Sequence, residues 1–332
     1  MNATDPRGLP SPSACRSWCP CVNSTPELRP VVAVVGATGT GKSALALELA
    51  HRFSGEVVNA DSMQVYRGMD IGTAKLPVAR RQGIPHHLLD IWPIRKAANV
   101  AEYQTLARQA IEEVHARGRL PILVGGSGLY VRAVLEKFEF PGHDPQIRAR
   151  IETELDRSGP GSLHARLAAA DPAAAAQILP TNTRRLVRAL EVIELTGGPF
   201  VAELPASSPH FRYCALGLAG DRLALDEALA RRVERMWDEG FVAEVIGLPG
   251  LAGSPTASRA LGYRQILAML AGEVDEATAK AQTIRATRKF ARRQDKWFRR
   301  DASVHWLDIG DRDLGARAQV VVRRFLGSSD RD

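Results

Sequence analysis

A chain of 332 residues, 45% apolar and 24% charged, is long enough to bury a full core and to build two domains. No stretch approaches the roughly 18 apolar residues of a membrane span, and no charged head precedes an apolar run at the start. Those features argue against a membrane protein or a secreted one and leave the cytoplasm as the expected compartment. The net charge of +7 suits an anionic partner such as nucleic acid, although Arg outnumbers Lys 37 to 7, which base composition alone can produce.

Cys15, Cys19 and Cys21 crowd the N-terminus and Cys214 stands alone. No Cys or His pair lies at zinc-ligand spacing, so reduced thiols are expected rather than a metal knuckle. Residues 1–29 are rich in Pro, Ser, Asn and Thr without periodicity and read as a disordered extension.

The β-branched run Val31–Val35 predicts a buried strand. Gly36-Ala37-Thr38-Gly39-Thr40-Gly41-Lys42-Ser43 follows and fits G-x-x-x-x-G-K-[ST]; Ala44–Ala50 reads as helix. In that setting several backbone N–H groups converge. With the helix N-terminus and Lys42 they favour a di- or triphosphate, and Ser43 is placed to ligate a Mg²⁺ carried on it. A ligand-free glycine turn is the plainer reading, and the strand–loop–helix context weighs against it. The loop alone does not say whether the diphosphate belongs to a nucleotide.

Glu56–Asn59 reads as a second strand, ending at Ala60-Asp61-Ser62, and 64–75 as a loop with Gly68 and Gly72. His87–Ile91 reads as a third strand. Asn99 opens a helix to about Arg117, with Glu102 completing a capping box. Leu120–Val124 is a fourth strand, turned by Gly125-Gly126-Ser127-Gly128 into another helix. Alternation at this spacing predicts a parallel sheet covered on both faces.

From about 142 to 207 no strand is evident. Asp144-Pro145 opens a helix to about Arg157, short Ala-rich helices follow, and Asn182 caps a helix through Thr196. Tyr213–Leu218 returns to strand character. Asp221 caps a helix to about Glu239, further helices span about 256–271 and 275–300, His305–Asp308 is a last strand and 313–326 a last helix. The expected fold is α/β: a P-loop NTPase-like parallel sheet flanked by helices, built from 30–141 and 208–332, with an all-helical insertion domain at 142–207.

Asp61 follows the second strand, where open α/β sheets form their crevice. A carboxylate there can bind Mg²⁺ through water, act as general base, or merely cap the next turn. The small residues at 125–128 would let a substrate approach the backbone, and Ser127 adds a hydroxyl. Leu120–Val124 ends in Gly-Gly where an ATPase strand would end in an acid, which speaks against ordinary nucleotide hydrolysis.

The basic run near the C-terminus includes Arg285, Arg288, Lys289, Arg292, Arg293, Lys296, Arg299 and Arg300 against one Asp295. Arg285, Lys289, Arg292, Lys296 and Arg299 recur at three- or four-residue steps and form one helical stripe. Phe290, Trp297 and Phe298 add packing or stacking surface. Such a stripe can track a phosphate backbone; a solvated helix face is the usual alternative. Arg184, Arg185 and Arg188 form a second cluster, suggesting a clamp from both domains.

These segments together resemble the tRNA dimethylallyltransferase (isopentenyl-tRNA transferase) family, bacterial type, over roughly residues 30–310. The resemblance rests on 36–43, on Asn59–Lys75, on Pro85–Asp90 and on Gly125–Tyr130. It also rests on Arg184–Glu191, Leu261–Gln265 and Thr287–Gln294. It implies transfer of a dimethylallyl group from dimethylallyl diphosphate to the N6 amine of adenine 37, in tRNAs reading codons that start with U. Residues 36–43 would hold the diphosphate, with Mg²⁺ on Ser43. Lys42, Asp61 and Ser127 would be catalytic, Asp61 taking the N6 proton and Ser127, where the family often has Thr, positioning the reacting groups.

The same resemblance places Asp61, Ser62, Met63, Gln64 and Ser127 against the tRNA, and Arg148 near the flipped nucleotide. Arg184, Arg185 and Arg188 would grip the anticodon stem–loop. Arg259, Tyr263, Arg264, Arg292, Arg293, Gln294, Lys296 and Arg299 would meet RNA from the core side. The enzyme would act as a monomer without a membrane. Three features depart from the family pattern: Ala37 for the usual Pro, Ala228 where relatives often carry Arg, and the N-terminal extension. No Cys/His zinc module follows the core. A P-loop small-molecule kinase and a non-catalytic RNA-binding protein are the rival readings.

Overall fold

The computed structural model describes residues 28–200 and 208–327. The extension expected at 1–29, apart from Leu28 and Arg29, lies outside the described residues, as do Cys15, Cys19 and Cys21. In chain order the elements begin with β1 (Pro30–Gly36), α1 (Lys42–Arg52), β2 (Gly55–Asn59), β3 (His86–His87), α2 (Val100–Ala116), β4 (Leu120–Gly125) and α3 (Gly128–Leu135). Three helices follow: α4 (Pro145–Ala170), α5 (Pro172–Gln177) and α6 (Thr183–Thr196). The chain continues through β5 (Arg212–Ala219), α7 (Arg222–Asp238), α8 (Phe241–Ile246), α9 (Tyr263–Leu270), α10 (Glu276–Phe298), β6 (His305–Asp308) and α11 (Leu314–Gly327). No helix among the described residues is long and apolar enough to cross a membrane.

The strands form one parallel sheet in the order β3-β2-β4-β1-β5-β6. Alternation along β1 splits its side chains between two cores. Val31, Ala33 and Val35 pack with Tyr103 and Ile111 of α2, Val134 of α3, Trp237 of α7 and Phe241 of α8. Val32 and Val34 face the other way, onto Leu45 and Leu49 of α1 and Ala318 and Val322 of α11. Coverage on both faces explains why these strands are apolar throughout.

The insertion has its own core, including Ile151, Leu163, Leu167, Leu186 and Leu190. The helix expected to stop near Arg157 runs on to Ala170 through a break at Gly159 (φ 76°, ψ 169°), with Pro160 after it. Asp144 caps α4 by accepting from the N–H groups of Gln146 and Ile147. Asn182 caps α6, which ends on left-handed Gly197. Entry and exit are stitched together: Lys137 N–H donates to Ser208 O at 2.7 Å and His210 N–H to Leu135 O at 2.8 Å.

Three expectations are corrected. The third strand is His86–His87, not 87–91, because Leu88 and Asp90 take left-handed backbone (φ 63° and 58°) and turn the chain away. Asn99 caps α2 alone, accepting from Ala101 N–H at 2.9 Å; Glu102 pairs with Lys96 instead of closing a capping box. The helix expected from 256 is a single turn at Ala257–Arg259 followed by α9, the two separated at Gly262 (φ 83°).

The loop between β2 and β3 is a folded plate. Lys75, 3% exposed in its side chain, donates to Asp70 Oδ1 and Asp90 Oδ1, both at 2.6 Å, and to Tyr66 O at 2.9 Å. Glu244 of α8 accepts from the backbone N–H groups of Asp70, Ile71 and Gly72 at 3.0, 2.6 and 3.2 Å, and from Tyr263 Oη at 2.5 Å. Gly72 is required there, since a Cβ would lie 2.2 Å from the Phe241 ring. Replacing Glu244 by Ala orphans four donors at once. Glu244→Ala is expected to lower unfolding stability by about 2–3 kcal/mol, measured by urea denaturation; a shift within error would mean water replaces the carboxylate.

Candidate active site

Because every strand runs the same way, the loops after β1, β2 and β4 meet at one sheet edge. Register brings them close: Val35 pairs with Gly125, Asn59 with Val124, and Ala60 N–H donates to Val124 O at 2.7 Å. The phosphate-loop residues Gly36, Ala37, Thr38, Gly39, Thr40 and Gly41 curl between β1 and α1. Lys42 Nζ folds back to donate to Ala37 O at 2.6 Å, and Thr40 Oγ1 donates to the same oxygen at 2.9 Å. Ser43 lies exposed in the first turn of α1.

Asp61 sits just past β2. Asn59 shapes its turn, accepting from Asp61 N–H at 3.0 Å and donating to Asp61 O and Leu88 O. Asp61 Oδ1 accepts from Met63 N–H at 2.8 Å and Gln64 N–H at 3.4 Å, so the capping role is real. Its Oδ2 takes no hydrogen bond among the described residues and remains for other work. Ser127 Oγ accepts from Ser62 N–H and donates to Ser62 Oγ, both at 3.2 Å. Ser62 and Ser127 thus join the Asp61 turn to the loop before α3. Met63 packs on the main core, and Gln64 Nε2 donates to Thr73 O at 3.1 Å.

The sequence leads one to expect the small residues at 125–128 to make space for a substrate; at Gly125, Gly126 and Gly128 the space a side chain would fill is instead taken by protein atoms. A Cβ on Gly125 would lie 2.3 Å from Ala60 O, on Gly126 2.2 Å from Gln294 Nε2, and on Gly128 2.0 Å from Trp297 Nε1.

Arg232 of α7 was missed by sequence reasoning. Its Nη1 donates to Thr38 Oγ1 at 3.3 Å. It lies one helical turn beyond Ala228, so i, i+4 spacing offered a signal. Lys42, Arg232 and Asp61 form one electrostatic set. Burial draws the Lys42 ammonium down to about 8; Asp61 pulls upward and Arg232 further down. Burial also lowers Arg232 from its ordinary value, against the same Asp61. The crevice therefore holds two cations and one carboxylate around the phosphate loop.

The basic residues divide. Arg184 lies within electrostatic reach of Arg148 in the insertion and of Arg259 and Tyr130 in the core, and burial lowers its pKa. Arg184, Arg185, Arg259 and Arg264 are exposed, as are Arg285, Lys289, Arg292, Arg293 and Lys296 on α10 and Arg299 just after it. Arg292 pairs with Asp226 at 2.8 Å and Arg299 with Asp295 at 3.1 Å. Arg148 contacts Glu152 and Glu191, each at 3.5 Å.

Two residues expected to meet RNA, Tyr263 and Gln294, are buried and bonded within the protein, and Arg188, still 29% exposed in its side chain, is bonded there as well. Tyr263 is 0% exposed and bonded to Glu244. Gln294, 5% exposed, lies under α10 with both amide atoms bonded inside. Arg188 clamps the insertion's entry, donating to Pro141 O at 2.7 Å and Gly142 O at 3.0 Å. It also pairs with Glu191, which is 0% exposed. Burial pushes the Glu191 carboxyl up, but hydrogen bonds from Arg188 and His143 outweigh it and hold the group below the usual carboxylate range.

Fold and site define a phosphate-loop α/β protein with a carboxylate beside the loop and an arginine-rich face around the crevice. The IPP transferase family model matches residues 64–301, and the chain belongs to that family. A tRNA dimethylallyltransferase of Salinispora arenicola is 63% identical over 295 residues, covering 88% of this chain and 86% of that protein. The tRNA isopentenylpyrophosphate transferase of Bacillus halodurans superposes with a TM-score of 0.67 at 38% identity, covering 92% of this chain and all of that one (100%). A eukaryotic dimethylallyltransferase, solved acting on tRNA, gives a TM-score of 0.75 at 27% identity over 92% of this chain and 80% of its own.

The charge state of Lys42 yields a signed expectation. An anion binds the ammonium form, so bound diphosphate raises the lowered pKa again. Affinity for inorganic diphosphate therefore falls as pH rises through about 8, by up to about tenfold per unit. Lys42→Arg stays charged and shows a shallower fall. Titration calorimetry on both sides of that pH checks this; equal pH dependence in the two proteins would remove Lys42 from the anion site.

Proposed function

We propose that this protein transfers a dimethylallyl group from dimethylallyl diphosphate to the N6 amine of adenine 37 in tRNAs reading codons that start with U, working as a monomer in the cytoplasm. The observation that carries the reading is the convergence of the phosphate loop, Asp61 and Ser127 at one sheet edge beneath the Arg148, Arg184 and Arg259 cluster. Breaking the allylic C–O bond builds positive charge on the five-carbon unit and negative charge on the diphosphate. Backbone N–H groups of 36–43 other than that of Thr38, which donates to Gln294, together with Lys42 and Arg232 stabilise that leaving group.

Mg²⁺ fits this chain as a passenger on the diphosphate. No group of three metal-ligating side chains occurs among the described residues, while Ser43 offers an exposed hydroxyl at the loop exit. Ser43 and phosphate oxygens would hold the ion, which supplies charge neutralisation to the leaving group. The exocyclic amine is a weak nucleophile because its lone pair is delocalised. Asp61 accepts its proton as the C–N bond forms, and Ser127 orients the acceptor. A stacked base is out of reach, so the adenine is extruded into the crevice. The insertion, through Arg184 and Arg185, grips the anticodon stem–loop. Arg259, Arg264, Arg292, Arg293, Lys296 and Arg299 meet it from the core.

Incubation of unmodified tRNA with dimethylallyl diphosphate, followed by mass spectrometry of its nucleosides, is expected to give N6-(dimethylallyl)adenosine. Label passing from ATP to a small acceptor would sink the reading. Asp61→Ala is expected to slow transfer by at least about 100-fold with tRNA still bound, and a near-native rate would refute its role as base. Changing Arg292 and Lys296 together to Ala is expected to weaken tRNA binding and reduce its salt slope by about 1.5. An unchanged slope in filter binding would make the stripe a merely solvated face.

A further inference from the structure

We infer that Gln294 is a positioning residue, whose single buried amide sets the spacing between the loop that holds the diphosphate and the loop that presents the acceptor base. The inference rests on the functional reading above. Gln294 Oε1 accepts from Thr38 N–H at 2.9 Å, inside the phosphate loop. Its Nε2 donates to Gly126 O at 2.9 Å, one residue before Ser127. Only an uncharged group with both a donor and an acceptor, at this side-chain length, makes both bonds. A carboxylate cannot donate, a methionine thioether cannot donate and accepts only weakly, and asparagine is one methylene shorter.

The surroundings are built around the bridge. Gly126 has no side chain where a Cβ would lie 2.2 Å from Nε2. Three residues along α10, Trp297 lies against Gly128 and packs on the same loop. One turn back, Ala291 packs behind the phosphate loop with Ala37, Leu225 and Leu229. The far side of Thr38 is held by Arg232. A bonded path therefore runs from Arg232 through Thr38 and Gln294 to Gly126. Arg232 carries the charge at one end of this path, with Asp61 and Lys42 within its electrostatic reach.

The donor carbon travels with the diphosphate, and the acceptor nitrogen lies with Asp61 and Ser127. Transfer needs the two within bonding approach, and a misplacement of about 1 Å can cost about 100-fold in rate. A bridge between the two loops controls that separation. It does so from a buried face of α10, without touching the RNA that the outer face of the same helix would bind.

The test compares Gln294→Met and Gly126→Ala with the native protein. The first keeps volume, removes the donor to Gly126 O and leaves at most a weak acceptor for Thr38 N–H; the second leaves Gln294 intact and pushes its amide away. In each, the single-turnover rate at saturating tRNA and dimethylallyl diphosphate is expected to fall about 10- to 100-fold. The dissociation constant for tRNA and its salt slope should stay within about twofold of native, measured by filter binding. Loss of tRNA affinity in proportion to the loss of rate would make Gln294 an RNA contact and overturn the inference. Native rates in both variants would reduce the bridge to packing and overturn it too. If the native protein forms no dimethylallylated nucleoside, the functional reading falls and takes this one with it. Should Gln294→Met not fold, Gly126→Ala and Gln294→Asn carry the same comparison.

Discussion

Parallel pairing of β1 with β4 and of β4 with β2 is the constraint on which the site depends. Parallel strands all end on one side, so three loops that are far apart in sequence share one edge. The pairing is specific to the residue. Val35 opposite Gly125 and Asn59 opposite Val124 bring Asp61, Ser127 and the phosphate loop together. A slip of one residue would turn every β1 side chain to the wrong core, because Val32 and Val34 belong to one and Val31, Ala33 and Val35 to the other. Stability of the sheet and geometry of the site are therefore the same requirement.

Charge balance in the crevice follows from that geometry. Lys42 and Arg232 both lose hydration at the loop, which opposes their charged forms. Asp61 offsets the cost to both. An anion on the loop would do so more completely. Ser62, next in the chain to Asp61, is bonded to the Ser127 hydroxyl.

Much of this was legible in the sequence where the cause is local. The apolar run, the glycine pattern and the helix after it announce the phosphate loop. Asn99, Asp144, Asn182 and Asp221 start helices because a short polar side chain can take the orphan N–H groups of the next turn. Legibility failed where distant contacts decide. His87–Ile91 looks like a strand, but Lys75 holds Asp90 in a turn. Tyr263 stands beside exposed Arg264, yet Glu244 and Phe241 bury it. Gln294 lies in a basic run and was read with its neighbours. At about 100° per residue it points roughly opposite to the Arg292–Lys296 stripe, so the helical period contained the correction.

The insertion is positioned by the same economy of connections. Its two ends leave and rejoin the core side by side, at the bridge between Glu136 and Pro209. Glu191 fixes the entry by gathering His143, Asp144, Arg148 and Arg188 around one buried carboxylate. A buried charge so fully bonded is costly to disturb, so the insertion's approach to the core is set at its root. Arg184 projects from the far helix into reach of Arg259 and Tyr130 on the core. Two arginines facing each other without a carboxylate between them repel. The arrangement is stable as an intramolecular contact only to the extent that water screens it, and it improves when an anion enters. A polyanion wide enough to touch both faces would supply that anion.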